Sequence, residues 1–294
     1  MKRATSYHLM LAPSVLFVLV FSYGPMVGIV IAFQKFNPVQ GFFHSPWLGL
    51  DNFRYVALLP DAFQVLWNTI FIAFMKIVIG FAVPIVVALL LNETRSAGFK
   101  RTIQTVVYLP HFLSWVILSG IIIDILSPSS GIVNTMLKAM GRPPIFFLGN
   151  ARWFPWVLIL SDTWKEFGFG TVIYLAALAG IDPALYEAAM IDGAGRWRRM
   201  LSVTLPGLST TIVLLATLSL GNVLNAGFDQ VFNLYSPIVY STGDIIDTYV
   251  YRLGLLDAQY GVASAVGLFK SVVSFLFIVV SYRLAYRLAS YTIF

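Results

Sequence analysis

The sequence predicts an all-α membrane protein in which six transmembrane helices make one domain over residues 1–294. Three observations carry this expectation. The chain is 59% hydrophobic and only 11% charged, with a mean hydropathy of +0.82, more apolar than the core of a water-soluble domain of this length requires. Six apolar runs each reach the roughly 20 helical residues that a hydrocarbon layer of about 30 Å demands. The lysines and arginines fall mostly in the short segments between those runs, and no segment is long enough for an extra soluble domain.

The first run, 9–33, follows Lys2 and Arg3 and so resembles a signal peptide. It is too long for a cleaved signal core and lacks a clear small-residue cleavage site, so it reads as a span. Gly24 and Gly28 form a small-xxx-small pair suited to close helix approach, although chance pairs are expected among 22 glycines. The later runs are 64–91, 102–126, 153–179, 206–226 and 262–288. Pro13 and Pro25 interrupt the first, Pro84 the second and Pro110 the third. Each proline removes a backbone donor, which a bilayer tolerates only where neighbouring helices or cavity water satisfy the freed carbonyl. Bent helices around a pathway and ordinary kinks in a packed bundle both fit.

Orientation follows from the basic residues. With the amino terminus inside, the inner set is Lys2, Arg3, Arg95, Lys100, Arg101, Arg196, Arg198, Arg199, Arg283 and Arg287. The outer set is Lys35, Arg54, Lys138, Arg142, Arg152 and Arg252. This bias places both termini in the cytoplasm, and the net charge of +6 reads as topology rather than as a nucleic-acid surface. With no cysteine there is no disulfide framework, thiolate metal site or thiol nucleophile. His8, His44 and His111 are scattered without ligand spacing and read as packing residues, so no metal is expected.

Ionisable residues inside a span are costly and point to function or to a buried partner. Asp162, Lys165 and Glu166 sit on the fourth run, roughly 14 Å in from Trp153, near mid-bilayer. Spacings of three and four place them on one face, with Trp164 and Phe167 nearby. Aromatic rings that stack on sugars, beside carboxylates and amides that bond hydroxyls, suit a saccharide pathway. Asn222, Asn225, Asp229 and Gln230, at the outer end of the fifth run, extend it. A purely structural alternative stays open: Asp162 and Lys165 pair with each other, or reach Lys76 or Lys270 on other spans. The same lysines could instead balance an anionic sugar.

Between the fourth and fifth runs, residues 181–206 read as a short surface helix, a tight turn and a second helix. Asp182 can cap, with Pro183 at the first helical position. Glu187, Ala188 and Ala189 follow, the alanines leaving a face that another protein's groove can approach closely and the glutamate offering one charge to a cationic partner. Gly193 and Gly195 break the helix. Arg196, Arg198 and Arg199 then face anionic headgroups.

This stretch resembles the EAA loop of ABC importer permeases. That motif has Glu-Ala-Ala, a glycine three residues on and, after nine more, an aliphatic-x-Leu-Pro ending. Here the elements are Glu187-Ala188-Ala189, Gly193 and Val203-Thr204-Leu205-Pro206, with valine where isoleucine is commoner. Residues 23–38 (YGPMVGIVIAFQKFNP), 47–53 (WLGLDNF), 108–115 (YLPHFLSW) and 225–232 (NAGFDQVF) are similar to a carbohydrate-uptake subgroup called LplB-like, whose members import oligosaccharides, including uronate-bearing ones such as alginate fragments. The resemblance implies a type I ABC importer permease bundle in the cytoplasmic (inner) membrane. It implies a transport subunit rather than an enzyme, paired with a homologous second permease, two ATP-binding subunits and an extracytoplasmic solute-binding protein. ATP and Mg belong to the partner subunits, with no cofactor in this chain, and the sequence contains no Gly-x-x-x-x-Gly-Lys-Ser/Thr loop to hold phosphates. Glu187, Ala188, Ala189, Asp192, Gly193, Leu205 and Pro206 are the implied ATPase-coupling residues. One rival is a stand-alone ion-coupled transporter, which usually needs more spans and an internal repeat. Another, an intramembrane hydrolase, lacks a catalytic constellation.

Overall fold

A computed structural model describes residues 2–94 and 96–289. Arg95 of the inner basic set and both chain ends, expected in the cytoplasm, lie outside the described residues. In chain order the helices begin with α1 (Lys2–Val18), α2 (Gly41–His44), α3 (Asp51–Leu58), α4 (Ala62–Asn92), α5 (Ala97–Tyr108), α6 (Trp115–Leu126), α7 (Ile132–Ala139) and α8 (Phe154–Ala179). They continue with α9 (Pro183–Ile191), α10 (Arg196–Arg199), α11 (Leu205–Gly207), α12 (Ser209–Leu220), α13 (Phe228–Leu234), α14 (Tyr240–Gly243), α15 (Ile246–Tyr251) and α16 (Tyr260–Ala289). The described residues form no strand beyond a single bridge between Gln34 and Trp47.

Three helices are by themselves long and apolar enough to cross a membrane: Tyr7–Phe33, Ala62–Asn92 and Tyr260–Arg283. Three further candidates are helix pairs bent at a short break, which brings the total to six when each pair counts as one span. The run expected at 102–126 is not one rod. A 3-10 turn at Leu109–Phe112 separates α5 from α6, and the chain bends there by 106°. Pro110 occupies that turn, and Ser114 starts α6 by accepting the Ile117 N–H at 3.4 Å. Around the fifth run, the second helix expected after the turn begins at Arg196 and leads into the span with a 53° bend between Gly207 and Ser209, and the helix stops at Leu220, short of the expected 226.

The chain packs as two compact units. In the first, which holds the segments up to Ala62 and Tyr249–Ser271, the Asn52 amide donates to the Ala32 and Gln34 carbonyls at 2.9 and 3.0 Å. Gly261 fits against the same place, where a Cβ would stand 2.6 Å from the Gln34 carbonyl oxygen. The second unit holds Phe63–Thr248 and the segment from Val272 onward. Its core joins Ile72, Leu118, Ile122, Phe154, Leu158, Val231 and Ile245, so α4, α6, α8 and α13 converge on one apolar centre. Gly168 of α8 lets the backbone of Val107 and Tyr108 approach without a side chain between them.

Candidate functional site

Two places in the second unit gather the residues that the sequence marks. The first lies midway along α8. This helix starts with Pro155 in its first turn, where a missing N–H costs nothing, and carries Asp162, Lys165 and Glu166 along one side. Lys76 of α4, with 8% of its side chain exposed, stands 3.2 Å from Asp162 Oδ1. Its ammonium also donates to the Ala226 carbonyl at 2.7 Å and to Gln230 Oε1. Lys165 donates to the His111 carbonyl at 2.7 Å, lies 3.2 Å from Glu166 Oε1, and rests over the Trp115 ring. His111 Nδ1 is 2.8 Å from Glu166 Oε2, and its ring stacks on Phe169 with centroids 4.4 Å apart. Of the pairings left open by the sequence, Asp162 takes Lys76, while Lys165 meets its neighbour Glu166, a pairing not foreseen. His111, read above as packing, is an electrostatic member of this network.

A hollow of about 380 Å³ opens beside these charges, lined by Lys76, Asp162, Glu166, Tyr174, Ser219, Asn222 and Asn225 among others. Tyr174 is buried, and its hydroxyl has no hydrogen-bond partner among the described residues. That oxygen is itself fully buried, so it stands behind the surface of the hollow rather than on it. Sequence patterning did not mark it, since one tyrosine on an apolar helix carries no signal.

Four of the expected residues sit outside that lining, the first being Lys165, which is buried against the His111 carbonyl and the Trp115 ring. Trp164 lines a separate, apolar hollow of about 330 Å³ with Trp153 and Trp156. Two positions along a helix are about 200° apart, so Trp164 cannot share the face of Asp162. Gln230 is fully buried on α13, with its amide donating to the Leu158 carbonyl at 2.7 Å and to Ser161 Oγ at 2.8 Å. Its side chain is thereby committed to anchoring α13 on α8. Asp229 is exposed on α13 and outside the lining of the hollow. Asn222 and Asn225 line the hollow from the turn after α12 rather than from a helix.

The second place is the elbow formed by α9. Asp182 Oδ1 accepts the Ala184 N–H at 2.9 Å, with Pro183 in the first turn. The helix ends in a Schellman arrangement, in which the Ala194 N–H reaches the Ala189 carbonyl at 2.9 Å and the Gly193 N–H the Met190 carbonyl at 3.0 Å. Gly193 has φ +76°, the left-handed region that favours glycine. Glu187, Ala188, Asp192 and Pro206 are exposed, and Ala189 and Leu205 half-buried. Ile191 is 87% exposed, so the elbow offers an apolar knob next to its small-residue face. Only Gly180, Ile181 and Asp182 separate α9 from α8, and the two helices meet at 71°.

Residues 80–290 match the family described as binding-protein-dependent transport system inner membrane component. The chain is 43% identical over 278 residues to protein LplB of Bacillus subtilis (strain 168), covering 95% of this chain and 87% of that protein. It is 42% identical, with the same coverage, to YteP of that organism, a polygalacturonan/rhamnogalacturonan transport system permease protein. Among solved structures, one chain of a bacterial ABC transporter involved in the import of the acidic polysaccharide alginate superposes with a TM-score of 0.91 at 39% identity, over 98% of this chain and 97% of that one. A second, from the alginate transporter in complex with an alginate pentasaccharide-bound periplasmic protein, gives a TM-score of 0.90 at 39% identity, over 97% of this chain and 96% of that one. Helical spans agree with these likenesses, and the chain belongs to the binding-protein-dependent transport system inner membrane component family, the membrane-spanning permeases of ABC importers.

Proposed function

We propose that this permease passes oligosaccharides, uronate-bearing ones in particular, through the hollow beside α8, and that its 181–206 elbow docks a partner ATPase. The observation that carries the reading is the hollow itself, where carboxylates, amides and an ammonium converge on the middle of apolar helices. Asp162, Glu166, Asn222 and Asn225 bond sugar hydroxyls. Lys76 is already paired with Asp162, so a sugar carboxylate in the hollow exchanges with Asp162 rather than meeting a bare cation. Such an exchange keeps binding weak enough for release, which conduction requires. The names of the relatives that transport polygalacturonan and alginate support the acidic class.

The remaining parts of the machine follow from the same reading. One domain with both termini in the cytoplasm spans the inner membrane beside a homologous permease. Two ATP-binding subunits supply ATP and Mg chemistry, and a solute-binding protein delivers the cargo from outside, as the periplasmic protein in the alginate complex supports. Closure of the ATPases displaces α9. Because three residues join α9 to α8, the displacement reaches the helix that carries Asp162 and Glu166.

The test is ATPase stimulation in the reconstituted importer by its binding protein loaded with uronate or neutral oligosaccharides of equal length. Acidic sugars should stimulate most. Stimulation by neutral sugars alone would overturn the substrate class, and solute movement without ATPases would overturn the coupling.

A further inference from the structure

Beside the elbow, two hollows share a wall. One, about 460 Å³, is polar, lined by Arg196, Arg199, Glu93 and Tyr186 among others. The other, about 220 Å³, is lined by Leu89, Leu90, Trp197 and Met200, and again by Glu93 and Arg196. Neither guanidinium makes an ion pair or a side-chain hydrogen bond among the described residues. The two share Glu93 and Arg196, and the first is backed by the Tyr186 hydroxyl, which donates to Thr204 Oγ1 at 3.2 Å. Leu90 is 62% and Trp197 74% exposed, so the apolar slot is open from outside.

The change from apolar to polar occurs where two candidate spans end. Leu89 and Leu90 lie in the last turn of Ala62–Asn92, and Met200 lies within the Arg196–Gly207 half of a bent pair. We propose that an anionic phospholipid of the surrounding bilayer binds here, its phosphate between Arg196 and Arg199 and one acyl chain along Leu89, Leu90 and Met200. The indole of Trp197 marks the boundary between headgroup and acyl chain, where tryptophan is favoured. Two unpaired arginines complement the phosphate charge. A lipid is the ligand whose own polarity changes at the same plane. Glu93 on the shared wall repels the phosphate and keeps the site one of moderate affinity. The site requires only that the chain spans a bilayer, not that α9 docks an ATPase, so the two proposals fail separately.

Native mass spectrometry of the full-length chain, purified with its co-isolating subunits, tests this with phosphatidylglycerol, phosphatidylcholine of the same acyl chains, and inorganic phosphate as probes. Phosphatidylglycerol should be retained, phosphatidylcholine lost, and millimolar phosphate should not displace the lipid. Arg196→Gln with Arg199→Gln should weaken phosphatidylglycerol binding about thirtyfold, and Glu93→Gln should tighten it about fivefold. Should the double variant not assemble, Glu93→Gln decides by itself. Equal retention of both lipids, or unchanged affinity in the variants, overturns the site. Displacement by inorganic phosphate would reduce it to an anion site and overturn the lipid assignment. Loss of an ATPase subunit from the double variant, with lipid occupancy of the intact complex unchanged, would hand the wall to a protein partner.

Discussion

Lys76 ties three elements together through Asp162 on α8, the Ala226 carbonyl and Gln230 on α13. Stripping one partner from a buried ion pair costs about 3–5 kcal/mol, whereas replacing both by apolar groups of similar size is often neutral. Lys76→Met alone should therefore destabilise the detergent-purified protein by about that amount, and adding Asp162→Leu should recover most of it in a thermal or denaturant melt. No recovery in the double variant would show that the pair is not what the single change disrupts. Tyr174 gives a complementary prediction. Tyr174→Phe removes an orphaned buried hydroxyl, so stability should hold or rise by about 1 kcal/mol in a thermal melt. A fall in stability would show that the hydroxyl has a partner in the folded protein. At this scale the sequence showed which charges lie within a span, because Asp162, Lys165 and Glu166 interrupt an apolar run at helical spacing. Their partners were not legible: His111 meets Lys165 and Glu166 from 54 and 55 positions away, distances that no local pattern encodes.

Among the elements, the elbow was the most legible because everything that shapes it is local. Asp182 caps, Pro183 starts the helix and Gly193 turns it at φ +76°, all within a dozen residues. Gly193→Ala forces a side chain into the left-handed region at a cost of about 1 kcal/mol. A Cβ there meets no atom within 4 Å, so the strain stays in the turn. The variant should insert and assemble normally but show a lower ratio of sugar transported to ATP hydrolysed, measured in proteoliposomes. An unchanged ratio would count against a coupling role for this turn. The third span was legible only as hydropathy. Pro110 and Ser114 were in plain view, yet a proline kink and a 106° break look alike until packing decides between them. With 12 residues each, α5 and α6 reach about 18 Å, so neither crosses the hydrocarbon layer alone. The second helix of the elbow was legible, but its joining to the fifth span was not, since Arg196, Arg198 and Arg199 interrupt the apolar pattern although arginine is a good helix former.

For the molecule as a whole, composition and hydropathy were enough to give helical spans, because a bilayer leaves the backbone no other way to satisfy itself than helices or closed barrels. The six expected runs correspond to three straight spans and three bent pairs. Only 6% of the first span's most apolar window is buried within the chain, leaving a long apolar surface for lipid or a companion subunit. Substrate class was the least legible property, since the hollow presents paired charges whose partners come from distant segments. The central claim is that the α9 elbow meets a nucleotide-driven subunit, and the absence of cysteine makes it directly testable. In the assembled importer, Ala188→Cys labelled with maleimide-benzophenone should photocrosslink to the ATP-binding subunit, with a yield that changes when ATP is added. No crosslink from position 188, or from Glu187→Cys and Ile191→Cys, in a complex that still transports, would contradict it.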